Sequence, residues 1–262
     1  MEDYQKEFAR ILAESGALFF DQNLRLKDGR PTPYFVNMGL FRTGRLSFIL
    51  GSFMAQMLVS RNLEDQIDIL IGPSYKGSAI AVATAQALWI SHKHDILFEY
   101  DRKEAKAHGE ATARKSMFVT NALYKGARLF ILDDVGTTMG TKYDLLELLQ
   151  EESSVRGLDL SLTGVGLAID REQTTAVTDS EGRLMEGVKG EDAIARFTAR
   201  TGLPVYFLAG IRDVILYLAD EKIPVLQRGT KRELDSAALE EFHVYMDAYG
   251  VLPRKAPPTS SA

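Results

Sequence analysis

Apolar residues along the chain alternate between helical spacing and short continuous runs. They recur at helical spacing over residues 4–13, and Gly16 follows as a stop signal, so a first helix is predicted there. Similar patterns predict helices over about residues 43–61, 78–91 and 141–153. The continuous apolar runs lie between these helices.

These runs predict buried strands at residues 67–73, 96–102, 127–135 and 162–170. Strands that alternate with helices are typical of an α/β fold, in which helices cover both faces of a parallel sheet. No internal repeat and no linker divides the chain, so we expect one domain over residues 1–252.

Three segments depart from this alternation. Residues 24–37 have the pattern of a hairpin, with a turn at residues 27–30 between two strand-like runs. Residues 172–192 are polar and contain a turn signal, so we expect an excursion or hairpin attached to the domain. Residues 253–262 are rich in Pro, Ser and Thr and are expected to be disordered.

Composition narrows the class of protein. The 262 residues are 45% hydrophobic and 26% charged, as in ordinary globular proteins, and the net charge of -5 offers no overall basic field for nucleic acid or an anionic membrane. The absence of cysteine excludes disulfides and thiolate catalysis and suits a reducing compartment. No signal peptide and no apolar run of membrane-spanning length is visible, so we expect a cytoplasmic protein with no nucleic-acid or membrane partner.

Two adjacent carboxylates, Asp133 and Asp134, follow the apolar run of the third predicted strand and precede a small-residue loop at 135–141. Ligands of open parallel sheets bind beyond the carboxyl ends of the strands, and amides at a helix amino terminus suit an anion. Carboxylates would repel a phosphate directly, so they indicate a ligand with hydroxyls beside its phosphate, such as a ribose 5′-phosphate. The alternative is that one Asp simply caps the helix.

A second charged stretch, "YDRKEAKAHGE", occupies residues 100–110. It brings Arg102, Lys103, Lys106 and His108 within seven residues, between a strand and a small-residue segment. The segment is either a solvated charged loop or a basic arm that closes over a highly charged anion such as pyrophosphate.

Five stretches, in order along the chain, resemble the type I phosphoribosyltransferases, and the basic stretch closely resembles the catalytic loop of orotate phosphoribosyltransferase. The acid pair with residues 135–141 resembles the loop that binds phosphoribosyl pyrophosphate (PRPP). Residues 72–81 resemble the diphosphate-binding loop, residues 26–45 the lid and base-binding hairpin, and residues 167–172 the strand end whose arginine meets orotate. The resemblance spans residues 1 to about 171.

The resemblance implies the type I phosphoribosyltransferase fold, an α/β fold with a central parallel sheet flanked by helices. It also implies an amino-terminal lid and base-binding subdomain over residues 1–42, here called the hood. The implied reaction joins orotate and PRPP to give orotidine 5′-monophosphate and pyrophosphate, a step of pyrimidine synthesis. Mg²⁺ is the implied cofactor, held mainly through PRPP and water. The implied assembly is a homodimer in which the basic loop, residues 102–110, acts in the partner's site.

The resemblance also gives roles to individual residues. The expected catalytic residues are Lys103, Lys106, His108, Asp133 and Asp134. The expected PRPP-binding residues are Lys27, Tyr75, Lys76, Arg102, Lys103, Lys106, His108, Asp133, Asp134, Val135, Gly136, Thr137, Thr138, Met139, Gly140 and Thr141. The expected orotate-binding residues are Tyr34, Phe35, Thr137 and Arg171. No residue is expected to ligate a metal directly.

Two departures from the family pattern stand out. Met139 occupies the place where the family has a glycine, and Gly140 comes one residue later, so either Thr137 or Thr138 faces the base; spacing from the acid pair favours Thr137. After the basic stretch the family has two glycines, whereas this chain has Ala111-Thr112, which predicts a stiffer loop.

Other interpretations remain open. Lys27, Arg30 and Lys76 can be surface cations, the Tyr34-Phe35 pair can be core aromatics, and Arg171 can pair with a nearby acid. At the level of function, the alternatives are a phosphoribosyltransferase for another base and a non-catalytic regulator that binds nucleic acid. A carboxylated base needs a cation, so Arg171 and the aromatic pair distinguish orotate from neutral bases.

Overall fold

The computed structural model describes residues 1–102 and 117–254. The helices are α1 (Asp3–Glu14), α2 (Gly44–Ser60), α3 (Lys76–Ala87), α4 (Gly140–Arg156), α5 (Ala193–Thr201), α6 (Ile211–Asp220) and α7 (Ser236–Tyr249). The strands are β1 (Leu18–Phe20), β2 (Tyr34–Val36), β3 (Ile69–Gly72), β4 (Leu97–Tyr100), β5 (Arg128–Val135), β6 (Ser161–Asp170), β7 (Val205–Gly210), β8 (Val225–Gln227) and β9 (Thr230–Arg232). The predicted helices and the four predicted buried strands are confirmed, with ends shifted by a few residues.

The main sheet has five strands in the order β4-β3-β5-β6-β7, and every neighbouring pair is parallel. Side chains of the central strands alternate between two cores. Ile69 and Ile71 pack with α4 and α5 on one face, whereas Leu70 packs with α1, α2, α3 and α6 on the other. Because both faces are covered, these strands appear in the sequence as continuous apolar runs.

A second sheet, in the order β2-β1-β8-β9, forms beside the first. The predicted turn is present, since Gly29 has φ +85° and its N–H donates to the Leu26 carbonyl at 2.9 Å. The predicted pairing of two runs within residues 24–37 is wrong for β2, however, because β2 pairs with β1. Residues 18–20, the apolar run "LFF", give β2 aromatic cross-strand neighbours. Next to the turn the predicted pairing is present: hydrogen bonds from Leu26 N to the Arg30 carbonyl at 2.9 Å and from Thr32 N to the Leu24 carbonyl at 3.1 Å flank the antiparallel bridge of Arg25 with Pro31.

The polar excursion at residues 172–192 contains no helix or strand and takes part in two isolated bridges, Thr178 to Leu184 within the segment and Gln173 to Gly250 outside it. The expected disorder from residue 253 onwards is wrong for Arg254, because its guanidinium pairs with Asp170 and Asp192. Burial of Asp170 makes an unpaired carboxylate there unfavourable, and a cation from the carboxyl end of the chain supplies the partner. Residues 255–262 lie outside the described part. Among the described helices, none has the length and apolar character needed to cross a membrane.

Candidate active site

A cavity of about 540 Å³ opens at the carboxyl ends of β3 and β5. It is lined by Lys27, Asp28, Pro73, Ser74, Tyr75, Lys76, Asp133, Asp134, Val135, Thr137, Thr138, Met139, Gly140, Thr141 and Lys142. The sequence-predicted PRPP residues from the described part of the chain thus converge on one cavity, apart from Gly136 and Arg102, which are not in its lining. Asp28, Pro73, Ser74 and Lys142 line it without having been predicted.

The acid pair has two lysine partners. Asp133 and Asp134 are each 6% exposed. Lys76 Nζ donates to Asp134 Oδ2 at 2.7 Å, and Lys142 Nζ donates to Asp133 Oδ2. Burial raises the pKa of the Asp133 carboxyl above its ordinary value, with the Lys142 charge acting against this rise and the Asp134 charge adding to it. The two carboxylates are therefore held by cations rather than left as a free acidic pair.

Lys142 is the main residue of this cavity that sequence reasoning missed. It lies in the first turn of α4, is 2% exposed, and also donates to the Val135 carbonyl at 2.9 Å. A cation in the first helical turn opposes the positive end of the helix dipole. The sequence therefore contained one indication that Lys142 forms an ion pair, because a lysine in the first turn of a helix needs an acidic partner to offset the helix dipole.

The backbone conformation and the burial of Met139 show how the loop accommodates this residue where the family has a glycine. It is the N-cap residue of α4 and has φ +63°, in the left-handed region that normally favours glycine. Its side chain is 1% exposed and belongs to the core beneath α4. The Thr138 hydroxyl accepts a hydrogen bond from Gly140 N at 3.3 Å, so Thr138 braces the loop.

In the predicted diphosphate-binding loop, the backbone at the end of β3 lies very close to the backbone at the start of α3. A Cβ on Gly72 would lie 2.0 Å from the Gly77 carbonyl carbon, so the end of β3 and the start of α3 require glycine. This approach leaves Tyr75 and Lys76 turned outward, with 77% of Tyr75 and 59% of the Lys76 side chain exposed. Both residues border the cavity.

Residues 101, 102 and 117 lie beside this loop. Arg102 N donates to the Met117 carbonyl at 2.7 Å, and the Asp101 carboxylate accepts from Ser74 N at 2.6 Å. Lys103, Lys106 and His108, for which catalytic roles are predicted, lie within residues 103–116, outside the described part.

Three of the four predicted base-binding residues, Tyr34, Phe35 and Arg171, form a separate cluster that does not line the 540 Å³ cavity, whereas Thr137 lines it. The guanidinium carbon of Arg171 lies 5.8 Å from the ring centre of Tyr34 and 5.7 Å from that of Phe35. Arg171 is 7% exposed, and its Nε and Nη2 have no hydrogen-bond partner among the described residues; the same holds for Tyr34 Oη. Burial raises the pKa of the Tyr34 hydroxyl, and the Arg171 charge opposes this rise.

Arg30 is not the solvated turn residue that the sequence allowed. It is fully buried, donates to the Asp28 carboxylate at 2.7 Å and to the Thr174 carbonyl at 2.7 Å, and lies 5.4 Å from the Tyr249 ring centre. A guanidinium can be buried here because its donors meet a carboxylate and a carbonyl oxygen.

Comparison with known proteins identifies the family. No family model matches the chain. The orotate phosphoribosyltransferase of Chromohalobacter salexigens is 33% identical over 252 residues, which cover 96% of this chain and 97% of that protein. The chain belongs to the orotate phosphoribosyltransferase family. A second relative of that name, from Methylococcus capsulatus, is 34% identical over 242 residues, covering 92% of this chain and 97% of that protein.

The fold agrees with this family. The crystal structure of orotate phosphoribosyltransferase from Francisella tularensis matches with a TM-score of 0.67 at 24% identity, covering 93% of this chain and 98% of that one. The predicted type I phosphoribosyltransferase fold is confirmed, and the chain is an enzyme of the phosphoribosyltransferase class. The roles of individual site residues stay predictions.

Proposed function

We propose that this chain transfers the ribose 5-phosphate of PRPP to orotate, giving orotidine 5′-monophosphate and pyrophosphate. Family membership supports this over the two alternatives, a transferase for another base and a nucleic-acid-binding regulator. The observation that carries the choice of base is Arg171, a buried guanidinium with two nitrogens unpaired among the described residues, beside Tyr34 and Phe35. An anionic, planar base satisfies both the cation and the aromatic neighbours.

The cavity suits the sugar phosphate. Loop amides of residues 135–141, at the amino terminus of α4, would hold the 5′-phosphate, and the acid pair would accept hydrogen bonds from ribose hydroxyls. Lys76 and Tyr75, both exposed at the rim, would meet the diphosphate. Lys27, which is also exposed and lines the cavity, lies on the hood side of the same ligand.

The reaction builds negative charge on the leaving pyrophosphate, and the site has to stabilise that charge. As orotate N1 bonds to C1′, the C1′–O bond breaks and pyrophosphate leaves with both electrons of that bond, while the N1 proton goes to solvent. Lys103, Lys106 and His108 of the basic loop would stabilise the charge that grows on pyrophosphate. Their contribution is expected mainly in the transition state, so they should affect kcat more than substrate binding.

Magnesium enters this proposal as part of the PRPP substrate. The described residues contain no group of three or more side chains of His, Cys, Asp or Glu that could hold a metal, and the acid pair already has lysine partners. These residues fit an ion bound through the diphosphate, the ribose hydroxyls and water. When bound, the ion would neutralise part of the pyrophosphate charge.

A homodimer with the basic loop acting in the partner's site completes the proposal, together with a cytoplasmic location. Support for an assembly comes from exposed apolar side chains in the helical segment Leu88–His92, which directly follows α3, and on the edge strand β4: Trp89 is 53%, Ile90 52% and Leu97 48% exposed. The absence of cysteine from the sequence suits a reducing compartment.

The test is a spectrophotometric assay of purified protein with PRPP and Mg²⁺, in which orotate and uracil are offered separately. The proposal predicts consumption of orotate and formation of stoichiometric pyrophosphate, with uracil turned over far more slowly. Comparable turnover of both bases would remove the orotate assignment, and no turnover of either would remove the proposed activity.

A further inference from the structure

The two carboxylates of the acid pair are held in different ways. The partner of Asp134, Lys76, keeps 59% of its side chain exposed. The partner of Asp133, Lys142, keeps only 3% of its side chain exposed, and the Asp133 side chain is 9% exposed. Both ion pairs line the cavity, but the lysine of the Asp134 pair is open to solvent and the lysine of the Asp133 pair is enclosed by protein.

In the exposed pair, Lys76 can leave the Asp134 carboxylate and bind the ligand instead. Lys76 follows the glycine-dependent loop at the end of β3, and its ammonium can turn towards a diphosphate without crossing protein. A diphosphate carries more charge than one carboxylate, so it competes well for this lysine. The Asp134 side chain is also only 9% exposed, but its Oδ1 still accepts from Val135 N at 2.8 Å when Lys76 turns away. Its Oδ2 then becomes an acceptor for hydroxyl groups of the ligand.

The buried pair has no such freedom. Lys142 Nζ is shared between the Asp133 carboxylate and the Val135 carbonyl, at 2.9 Å from the latter, while Asp133 Oδ1 accepts from Asp134 N at 2.9 Å. Moving Lys142 outward would leave a buried, unpaired carboxylate, which is among the costliest changes inside a protein. Asp133 therefore stays occupied by internal donors in any bound state that keeps this loop intact.

These contacts also fix the phosphate-binding loop. Lys142 ties the first turn of α4 to both Asp133 and Val135, the last residues of β5, and the loop at 135–141 lies between these two anchors.

We propose that Lys142 gives the two acids different roles. It keeps Asp133 as an internal partner that positions the phosphate-binding loop, and it leaves Asp134 as the carboxylate that binds the ribose hydroxyls. Lys142 is thus a positioning residue, and the expectation that both acids hold the ribose is replaced by a role for one. The proposal rests on the proposed function only in taking PRPP as the ligand.

The test is a double-mutant cycle read out by PRPP binding. Lys142→Met, Asp133→Asn and the double variant are compared with wild type by calorimetric titration with Mg²⁺-PRPP, at a temperature well below each melting temperature. Each single variant should bind PRPP at least tenfold more weakly, because it leaves one buried polar partner unmatched and loosens the loop. The double variant, which removes both charges, should bind at least threefold more tightly than either single variant and should melt at a higher temperature.

Asp134→Asn provides the matched contrast. It should keep a melting temperature close to that of wild type and lose PRPP affinity, and addition of Lys142→Met should restore none of that loss. If Lys142→Met alone fails to fold, a folded double variant with measurable PRPP affinity gives the same support.

Three results would overturn the proposal. The first is an Asp133→Asn protein of unchanged melting temperature with weakened PRPP binding, since Asp133 would then contact the ligand. The second is a double variant that recovers melting temperature but not PRPP affinity, which would limit Lys142 to a role in stability. The third is a wild-type protein that does not bind PRPP. A wild-type protein that binds PRPP but does not consume orotate would remove the proposed activity and leave the cycle as the test of Lys142.

Discussion

Arg30 Nη1 donates a hydrogen bond to the carbonyl oxygen of Thr174 at 2.7 Å, from the turn at residues 27–30 to the segment that follows β6. The same guanidinium pairs with Asp28, which lines the 540 Å³ cavity, and Thr174 lies three residues after Arg171. One buried side chain therefore links the rim of the cavity to the segment that carries the proposed base-binding arginine.

Arg30→Met should weaken both the fold and base binding. The change leaves the Asp28 carboxylate and the Thr174 carbonyl without their partner, which should lower the free energy of unfolding by about 2–4 kcal/mol. Because the segment that carries Arg171 loses an anchor, KM for orotate should rise more than KM for PRPP. Urea unfolding and steady-state kinetics measure the two effects.

Arg25→Met is the control for this change. Arg25 belongs to the same turn region but keeps 63% of its side chain exposed and donates to the Gly29 carbonyl at 2.7 Å. Its replacement should alter stability by less than about 1 kcal/mol. Equal effects of the two replacements would show that burial of Arg30 does not matter.

At Met139, the glycine variant should be more stable than the alanine variant, which is the reverse of the usual order of stability. Both truncations lose a buried side chain, which destabilises by about 2–5 kcal/mol. Alanine at φ +63° keeps the left-handed strain of about 1–2 kcal/mol, whereas glycine relieves it. Met139→Gly should therefore unfold at higher urea concentration than Met139→Ala. An alanine variant of equal or greater stability would contradict the strain argument.

Glu172→Gln should change the pH dependence of stability. Burial raises the pKa of the Glu172 carboxyl above its ordinary value of 4.5, although Arg212 N donates to it at 2.9 Å and opposes the rise. Between pH 4.5 and the raised pKa, the folded state holds the proton more tightly than the unfolded state. The contribution of this group to stability is therefore complete below pH 4.5 and is lost as pH rises through the folded pKa.

The measurement is the free energy of unfolding of wild type and Glu172→Gln from pH 4.5 to 7. The wild-type value should fall relative to the variant across this range, by about 1.4 kcal/mol for each unit by which the two pKa values differ. A difference that stays constant or grows with pH would show that burial does not control this carboxyl.

Mixing two inactive variants tests the proposed action of the basic loop in the partner's site. A Lys103→Ala subunit keeps an intact pocket, and an Asp134→Ala subunit keeps an intact loop, so a mixed dimer has one complete site. With statistical exchange, activity should recover to about a quarter of wild type per subunit. If native mass spectrometry shows mixed dimers while activity stays at the level of the single variants, the loop acts in its own subunit.

Local sequence patterns predicted the parts of the fold that depend on local periodicity. The run at residues 127–135 specified a buried strand and placed Asp133 and Asp134 at its carboxyl end, where the cavity forms. The second sheet could not be predicted in this way. Its strands β1 and β8 come from opposite ends of the chain, and their pairing, Phe19 with Leu226, has no local pattern.

The prediction of the site from the sequence was incomplete for the same reason. The sequence allowed Arg30 to be a solvated cation, and it led to no prediction for Lys142. Arg30 is buried by the Asp28 carboxylate two residues away and by the distant Thr174 carbonyl, and Lys142 is buried against Asp133 in β5. Met139 was recognised as a departure, but its left-handed conformation became evident only from the structure. Charge and spacing therefore identified the ligand class, and tertiary contacts identified how its residues are held.

The ratio of kcat/KM for orotate to that for uracil, measured for wild type and for Arg171→Met, tests the central claim most directly. The buried guanidinium needs an anionic partner, so the wild-type ratio should be about 10³ or more, as expected for a site that binds a group absent from the competitor. In Arg171→Met the ratio should fall at least about 100-fold, chiefly through loss of orotate turnover. A wild-type ratio near one, or a ratio that Arg171→Met leaves unchanged, would contradict the assignment of orotate as the base and Arg171 as the residue that selects it.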